Sequence, residues 1–145
     1  KLSSFSMASF LLAGSLFFTG CAEQPRPIRY GQDDCDYCKM RMEDKRFGAE
    51  ILTGKGKVFR FDDMHCLLGF IKSGEIEKGE IGSIYFVDFS GGHQFIKAGE
   101  GWLLNAESLR SPMGGNIAAF QDADSAKFYQ REFPGKLTKW EDLYK

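Results

Sequence analysis

The sequence has little of what several common protein classes require. Its 19 basic and 20 acidic residues are interspersed and give a net charge of −1, so no basic stripe is available for a nucleic acid. The chain also carries no polybasic patch that would attract it to a membrane surface. No pair of acid and base groups and no Ser/His/Asp arrangement stands out. We therefore expect a protein that is not an enzyme and does not bind nucleic acid.

Apolar runs are short. The run at residues 10–18 has nine residues, whereas a membrane-spanning helix needs about 20. It follows a basic start and ends in Phe18-Thr-Gly-Cys21, which resembles the processing box of bacterial lipoproteins. We predict a signal peptide over residues 1–20 and a lipid on Cys21 that anchors the protein to a cell membrane, facing the periplasm. The alternative is a secreted protein in which Cys21 belongs to a discarded peptide.

Cysteine is scarce, with four in the whole chain. If Cys21 carries a lipid, three remain: Cys35, Cys38 and Cys66. An odd number of cysteines cannot close entirely into internal disulfides in an oxidising compartment. At least one thiol is then free, paired between chains or bound to a metal.

Sulfur is nevertheless concentrated in one stretch, Cys35-Asp-Tyr-Cys38-Lys-Met40-Arg-Met42. Cys38, Met40 and Met42 share one parity, so in an extended chain their side chains would project from one face. Cys35 joins them if the Cys-x-x-Cys portion is a tight turn. Thiolate and thioether ligands suit Cu(I). The same spacing is compatible with a Cys35–Cys38 disulfide, a redox pair or a zinc site, with the methionines filling the core.

Patterning predicts one α+β domain over residues 35–145, preceded by a flexible tether over residues 21–34. A turn at residues 54–57 between two apolar runs predicts a β-hairpin. A helix follows, capped by Asp62 or Asp63 and stopped at Gly74. Cys66 lies close to its N-terminus, where the helix dipole favours a thiolate, although a small buried residue is the simpler interpretation.

The second half of the chain echoes the first. Strands are expected at residues 84–89, 94–96, 102–105 and 116–120, and a second helix at residues 122–133. Phe61-x-Asp63 opens the first helix and Phe120-x-Asp122 opens the second. Ser125 then stands at the offset of Cys66. These matches predict duplicated ββαβ units that form one small mixed-sheet domain.

Three blocks, in this order, resemble the NosL family of nitrous oxide reductase accessory lipoproteins: Cys35-Asp-Tyr-Cys38-Lys-Met40, Phe61-Asp-Asp-Met-His-Cys66, and Ser111-Pro-Met-Gly114 running into Ala118-Ala-Phe120. The resemblance implies a periplasm-facing Cu(I) metallochaperone. Its implied partners are nitrous oxide reductase and an ABC-type maturation complex in the membrane. Lys39 stands where family members commonly have glycine, which adds bulk and positive charge beside the site.

The resemblance also implies a ligand set. Cys38 and Met40 are the expected Cu(I) ligands, Met113 is the third, and Cys35 is a ligand or a supporting thiol. Further candidates are Cys66, His65 and Met42. Thioethers hold Cu(I) less tightly than thiolates alone would, which suits a carrier that must release its ion. Three other functions stay open: a thiol–disulfide protein using Cys35 and Cys38, a structural zinc module using Cys35, Cys38, Cys66 and His65, and a non-enzymatic adhesion or scaffold lipoprotein in which the sulfurs are incidental.

Overall fold

Two antiparallel sheets organise residues 24–145, the part of the chain that the computed structural model describes. The first sheet has the strand order β2-β1-β3-β4, with β1 at Ala49–Thr53, β2 at Val58–Phe61, β3 at Ile81–Val87 and β4 at Phe95–Lys97. The second has the order β6-β5-β7, with β5 at Trp102–Asn105, β6 at Ile117–Phe120 and β7 at Lys136–Thr138. The helices are α1 at Met64–Ser73, α2 at Ala123–Glu132 and α3 at Trp140–Leu143, with two short 3-10 helices at Lys78–Glu80 and Glu107–Leu109.

Each half of the domain is a ββαβ unit. In both, a hairpin leads into a helix, and the strand after the helix pairs antiparallel with the first strand of the hairpin. Asp63 caps α1 and Asp122 caps α2, each accepting from the backbone N–H three residues on. Gly74 ends α1 in a left-handed conformation, as predicted. The α+β class and the duplication are therefore confirmed.

The strands of this mixed-sheet domain form two sheets rather than one continuous sheet. The two units meet at an isolated parallel bridge between Asp88 and Ala119, and Phe89 N–H donates to the Ala119 carbonyl over 2.8 Å. Pairing between the units stops there because the Asp88 carboxylate accepts from the Ser90 N–H and hydroxyl, which turns the chain back towards β4.

The apolar side chains form two cores. The first core lies between the first sheet and α1 and contains Cys35, Met42, Phe61 and Cys66, all fully buried. The second core surrounds Phe120 under α2. Phe61 and Phe120 occupy matched positions before the two helices, so each unit buries the equivalent aromatic ring.

Residues 26–34, which the sequence assigned to the tether, lie against the domain. Arg26 N–H donates to Glu50 Oε2 over 2.9 Å, and the side chains of Ile28 and Tyr30 pack on the first core. Gly48 makes room for them, since a Cβ there would lie 2.6 Å from Tyr30 Oη and 2.7 Å from Ile28 Cδ1. The folded part of the described chain therefore begins near Arg26.

The predicted signal peptide and Cys21 lie outside the described residues. Within residues 24–145, none of the helices is both long enough and apolar enough to cross a bilayer.

Candidate metal centre

The first two cysteines lie on a tight hairpin, residues 34–41, called here the cysteine hairpin. Asp34 and Arg41 pair as an antiparallel bridge. Cys35 N–H donates to the Met40 carbonyl over 2.8 Å, and Lys39 N–H donates to the Cys35 carbonyl over 3.0 Å. Lys39 has a φ of 63°, a left-handed conformation that glycine adopts at lower cost. Its ammonium group donates a hydrogen bond to the Asp36 carbonyl in the same turn, and this bond stabilises the turn with lysine at this position.

Two contacts hold the cysteine hairpin against β2 and α1. Asp36 and Arg60 on β2 bond reciprocally, through Asp36 N–H to the Arg60 carbonyl over 2.8 Å and Arg60 N–H to Asp36 Oδ2 over 2.7 Å. The Tyr37 ring lies over Gly69 of α1, where a Cβ would come within 2.6 Å of it. The hairpin is thereby held across the helix that carries Cys66.

The result is a cluster of three thiols, Cys35, Cys38 and Cys66, called here the cysteine cluster. Their Sγ atoms all lie within 4.8 Å of one another, with Cys35 and Cys66 fully buried and Cys38 half-buried. All three are free thiols, so the Cys35–Cys38 disulfide is not formed in this structure. Two sulfurs that bind one ion at about 2.3 Å each lie at most about 4.6 Å apart, so the separations in the cluster are compatible with a shared ion.

The thiols of the cluster differ in acidity. A hydrogen bond from the Cys66 thiol, together with backbone N–H donors from Cys38, Asp62 and Tyr37, lowers the pKa of Cys35 to about 5 against the effect of burial. Donation to Cys35 and burial raise the pKa of Cys66, and burial raises the pKa of Cys38. The cluster therefore favours a thiolate at Cys35 over the other two positions, and an ion bound by all three sulfurs must displace protons from Cys38 and Cys66.

Asp62 adds a carboxyl group beside this thiolate. The side chain is 4% exposed, and its Oδ1 is buried without a hydrogen-bond partner among the described residues. Burial, followed by the nearby charge of Cys35, raises the pKa of Asp62 to about 6. Two acidic groups that share a buried region favour the arrival of a cation.

The second unit contributes the turn at residues 111–116, called here the Met113 turn. Its Met113 N–H donates to Asp63 Oδ2 over 3.0 Å, at the N-terminus of α1. Gly115 lies against the same end of the helix, since a Cβ on it would be 2.8 Å from the backbone nitrogen of His65. The Met113 side chain is half-buried and packs on the first core, which contains Cys35 and Cys66. The fold thus brings the Met113 turn to the N-terminus of α1, the helix that carries Cys66.

The other predicted ligands occupy different surroundings. Met40 is 56% exposed on the cysteine hairpin, whereas Met42 is fully buried in the first core. The segment is a hairpin rather than an extended strand, so the condition under which Cys38, Met40 and Met42 would share one face is not met. His65 is exposed on α1, and the group of His, Cys, Asp and Glu side chains that could hold a metal among the described residues consists of the three cysteines.

Sequence reasoning missed one residue near the site. Asp63 was predicted only as a possible helix cap, yet both of its carboxylate oxygens accept hydrogen bonds, one of them from the other unit. The available signal was the pair Asp62-Asp63 at a position where one capping side chain is sufficient.

Comparisons with known proteins agree with the resemblance seen in the sequence. The family model for NosL matches residues 28–145. The fold is also similar to the crystal structure of the copper chaperone NosL from Shewanella denitrificans, with a TM-score of 0.70 and 23% sequence identity over 82% of this chain and 94% of that chain. No curated protein matches the chain. Because the family match spans nearly all of the described residues, the chain belongs to the NosL family.

Proposed function

We propose that the protein is a periplasm-facing Cu(I) metallochaperone, anchored to the membrane through Cys21, that supplies copper for the maturation of nitrous oxide reductase. The observation that carries the proposal is the cysteine cluster, with three free Sγ atoms within 4.8 Å of one another. Thiolate and thioether donors select soft ions, and Cu(I) is the soft ion that a copper chaperone would carry. The family and the similar copper chaperone support the same choice.

The site has the features of a carrier. Cys35 and Cys66 are fully buried and would hold the ion, while Cys38 is half-buried and Met40 is 56% exposed on the same hairpin. A sulfur ligand from a partner could therefore approach from the hairpin side and exchange with Cys38. Ligand exchange of this kind needs a coordination position that is not closed by the protein, in contrast to a structural site.

A structural zinc module is less well supported. Structural zinc sites are almost always closed by four protein ligands. The cysteine cluster offers three, and His65, the fourth ligand that the spacing suggested, is exposed on α1 and is not grouped with them. The competing function therefore lacks one ligand among the described residues.

The function is tested in cells that depend on nitrous oxide reductase. Removal of the gene should yield reductase depleted in copper, and the wild-type gene should restore the metal content. A gene with Cys35→Ser and Cys38→Ser should not restore it, although the protein accumulates to the wild-type level. Reductase that acquires its full copper content without this protein, at limiting copper, would overturn the proposed role.

Met113→Leu should weaken Cu(I) binding while changing the free energy of unfolding by less than about 1.5 kcal/mol, since leucine and methionine are close in volume. Met40→Leu should behave in the same way, and the double variant should lose less than the sum of the single losses, as expected for ligands that share one ion. Anaerobic competition with a chromophoric chelator measures the affinities, and denaturant unfolding measures the stabilities.

Met42→Leu is the matched control, because Met42 is a fully buried core methionine. It should leave the Cu(I) affinity unchanged. If Met113→Leu is as silent as Met42→Leu, the second unit supplies no ligand and the site is confined to the first.

The membrane anchor is tested by Cys21→Ala, which removes the thioether-forming side chain that lipidation needs. The folded domain should be unaffected, and the protein should move from the membrane fraction to the soluble periplasmic fraction. Protein that stays with the membranes after a salt wash would show that another feature holds it there.

A further inference from the structure

Asp63 makes hydrogen bonds to both units of the domain. It is fully buried, and its Oδ1 accepts from Cys66 N–H over 3.2 Å, which caps α1. Its Oδ2 accepts from three donors of the Met113 turn: the Ser111 hydroxyl at 2.6 Å, Met113 N–H at 3.0 Å and Gly115 N–H at 3.2 Å. One carboxylate therefore connects the backbone of a cluster cysteine to the backbone of the methionine from the other unit.

The duplication provides an internal comparison for this residue. Asp122 caps α2 in the same way, through Ser125 N–H at 2.8 Å, but the bond to its second oxygen comes from the Ser125 hydroxyl at 3.0 Å, within its own helix. Asp122 is exposed and serves its own helix. Capping alone therefore explains Asp122, whereas the three bonds to Oδ2 of Asp63 need a separate reason.

The Met113 turn is closed by its own bonds. Ser111 N–H donates to Asn116 Oδ1 over 3.0 Å, Asn116 N–H donates to Ser111 Oγ over 2.7 Å, and Gly114 N–H donates to the Ser111 carbonyl over 3.0 Å. The turn can thus keep its shape without Asp63. Asp63 instead fixes the position of the turn, which it holds at the N-terminus of α1, the helix that carries Cys66.

We propose that Asp63 is a positioning residue for the copper site, which holds Met113 beside the cysteine cluster so that thiolates and thioether meet at one ion. The proposal rests on the proposed Cu(I) binding and names a residue that acts through Met113 rather than on the ion. Groups that orient metal ligands in this way typically change the metal affinity by about 10- to 100-fold when they are replaced.

The test uses Asp63→Asn in the full chain. An amide has one accepting oxygen, so asparagine can cap α1 or receive the Met113 turn but not both. The Cu(I) affinity should fall by about 10-fold or more, whereas the matched change Asp122→Asn should stay within about twofold of wild type. In the Met113→Leu background, Asp63→Asn should lower the Cu(I) affinity by less than about a further twofold, because the ligand that Asp63 positions is already gone.

A second readout needs no metal. In the copper-free protein, Asp63→Asn should speed backbone amide hydrogen exchange at Met113 and Gly115, while the amides of α1 from Leu67 onwards keep their protection. Ser111→Ala provides a milder variant in case Asp63→Asn does not fold. It removes one donor to Oδ2 and the acceptor of Asn116 N–H while leaving the cap of α1 intact, and it should lower the Cu(I) affinity and speed exchange at Met113 in the same direction.

The outcomes separate this proposal from the proposed function. If the wild-type protein takes up no Cu(I), the function fails. If it binds Cu(I) and Met113→Leu weakens binding while well-folded Asp63→Asn retains full affinity, only the positioning role is overturned. An equal loss from Asp63→Asn with and without Met113 would also overturn it, since the residue would then act on the fold as a whole.

Discussion

Cys35→Ser is expected to lower the Cu(I) affinity by more than about 100-fold, beyond the range typical of a group that only supports a ligand. Cys35 is fully buried, and its Sγ lies within 4.8 Å of both other cluster sulfurs. The hydrogen bond from Cys66 and backbone N–H donors lower its pKa, so Cys35 is the most acidic thiol of the cluster. A serine hydroxyl does not ionise at neutral pH and is a harder donor, so the ion loses one of its two fully buried sulfur ligands.

The measurement for Cys35→Ser is anaerobic competition with a chromophoric Cu(I) chelator, with denaturant unfolding run beside it. The serine hydroxyl can still accept the backbone N–H groups that point at Sγ, so the fold should survive, at a cost of about 1–3 kcal/mol. Cys38→Ser, at the half-buried position, should lose less affinity than Cys35→Ser. A folded Cys35→Ser protein that binds Cu(I) within about tenfold of wild type would rule out Cys35 as a ligand.

Arg60→Met is expected to destabilise the protein by about 3 kcal/mol or more, the usual result of removing one partner from a buried charge pair. Arg60 Nε lies 3.2 Å from Glu50 Oε1 and 3.6 Å from Asp33 Oδ2, and both carboxylates are buried. Arg29 still pairs with Asp33 in the variant. Glu50 keeps the N–H and the side-chain charge of Arg26, but it loses the guanidinium 3.2 Å from its Oε1.

The loss of folding stability caused by Arg60→Met should depend on pH. Burial, opposed by Arg26 and Arg60, raises the pKa of Glu50 from its usual 4.5 to about 7. Between these values the folded state holds the proton more tightly than the unfolded state does, so the contribution of Glu50 to stability rises as the pH falls from 7 towards 4.5. The destabilisation by Arg60→Met should therefore be larger at pH 7.5 than at pH 5, where Glu50 is protonated and needs no cation.

Urea unfolding at the two pH values measures this difference. The control is Arg60→Met combined with Glu50→Gln, which removes the buried charge together with its partner and should be more stable at pH 7.5 than Arg60→Met alone. Equal losses at both pH values, or a double variant that is less stable than Arg60→Met, would show that Arg60 acts through packing rather than charge.

Local sequence patterns were sufficient to predict most of the helices, strands and turns. The hairpin at β1 and β2, the cap at Asp63 and the stop at Gly74 depend on residues close in the sequence, and the duplication followed from Phe61-x-Asp63 and Phe120-x-Asp122. The division into two sheets was not predictable in this way, because it depends on where pairing between the units stops after Asp88.

The cysteine cluster was predicted only in part. Cys35 and Cys38 were identified from their spacing, but the position of Cys66 depends on contacts between distant segments. These are the Tyr37 ring on Gly69 and the bonds between Asp36 and Arg60. No local pattern encodes such docking, and therefore Cys66 ranked below Met40 as a candidate. The buried Glu50 was equally hidden, since nothing in the sequence of β1 distinguishes a buried glutamate from an exposed one.

Copper selectivity is the central claim, and the most direct measurement is an anaerobic titration of the reduced wild-type protein with Cu(I) and Zn(II) in competition. The donors of the site are sulfur, so we expect a single Cu(I) to be taken up per chain and Zn(II) to compete poorly. The same titration of Cys35→Ser should show the Cu(I) uptake greatly weakened. Tight Zn(II) binding without measurable Cu(I) uptake would contradict the proposed function and identify the cysteine cluster as a zinc site.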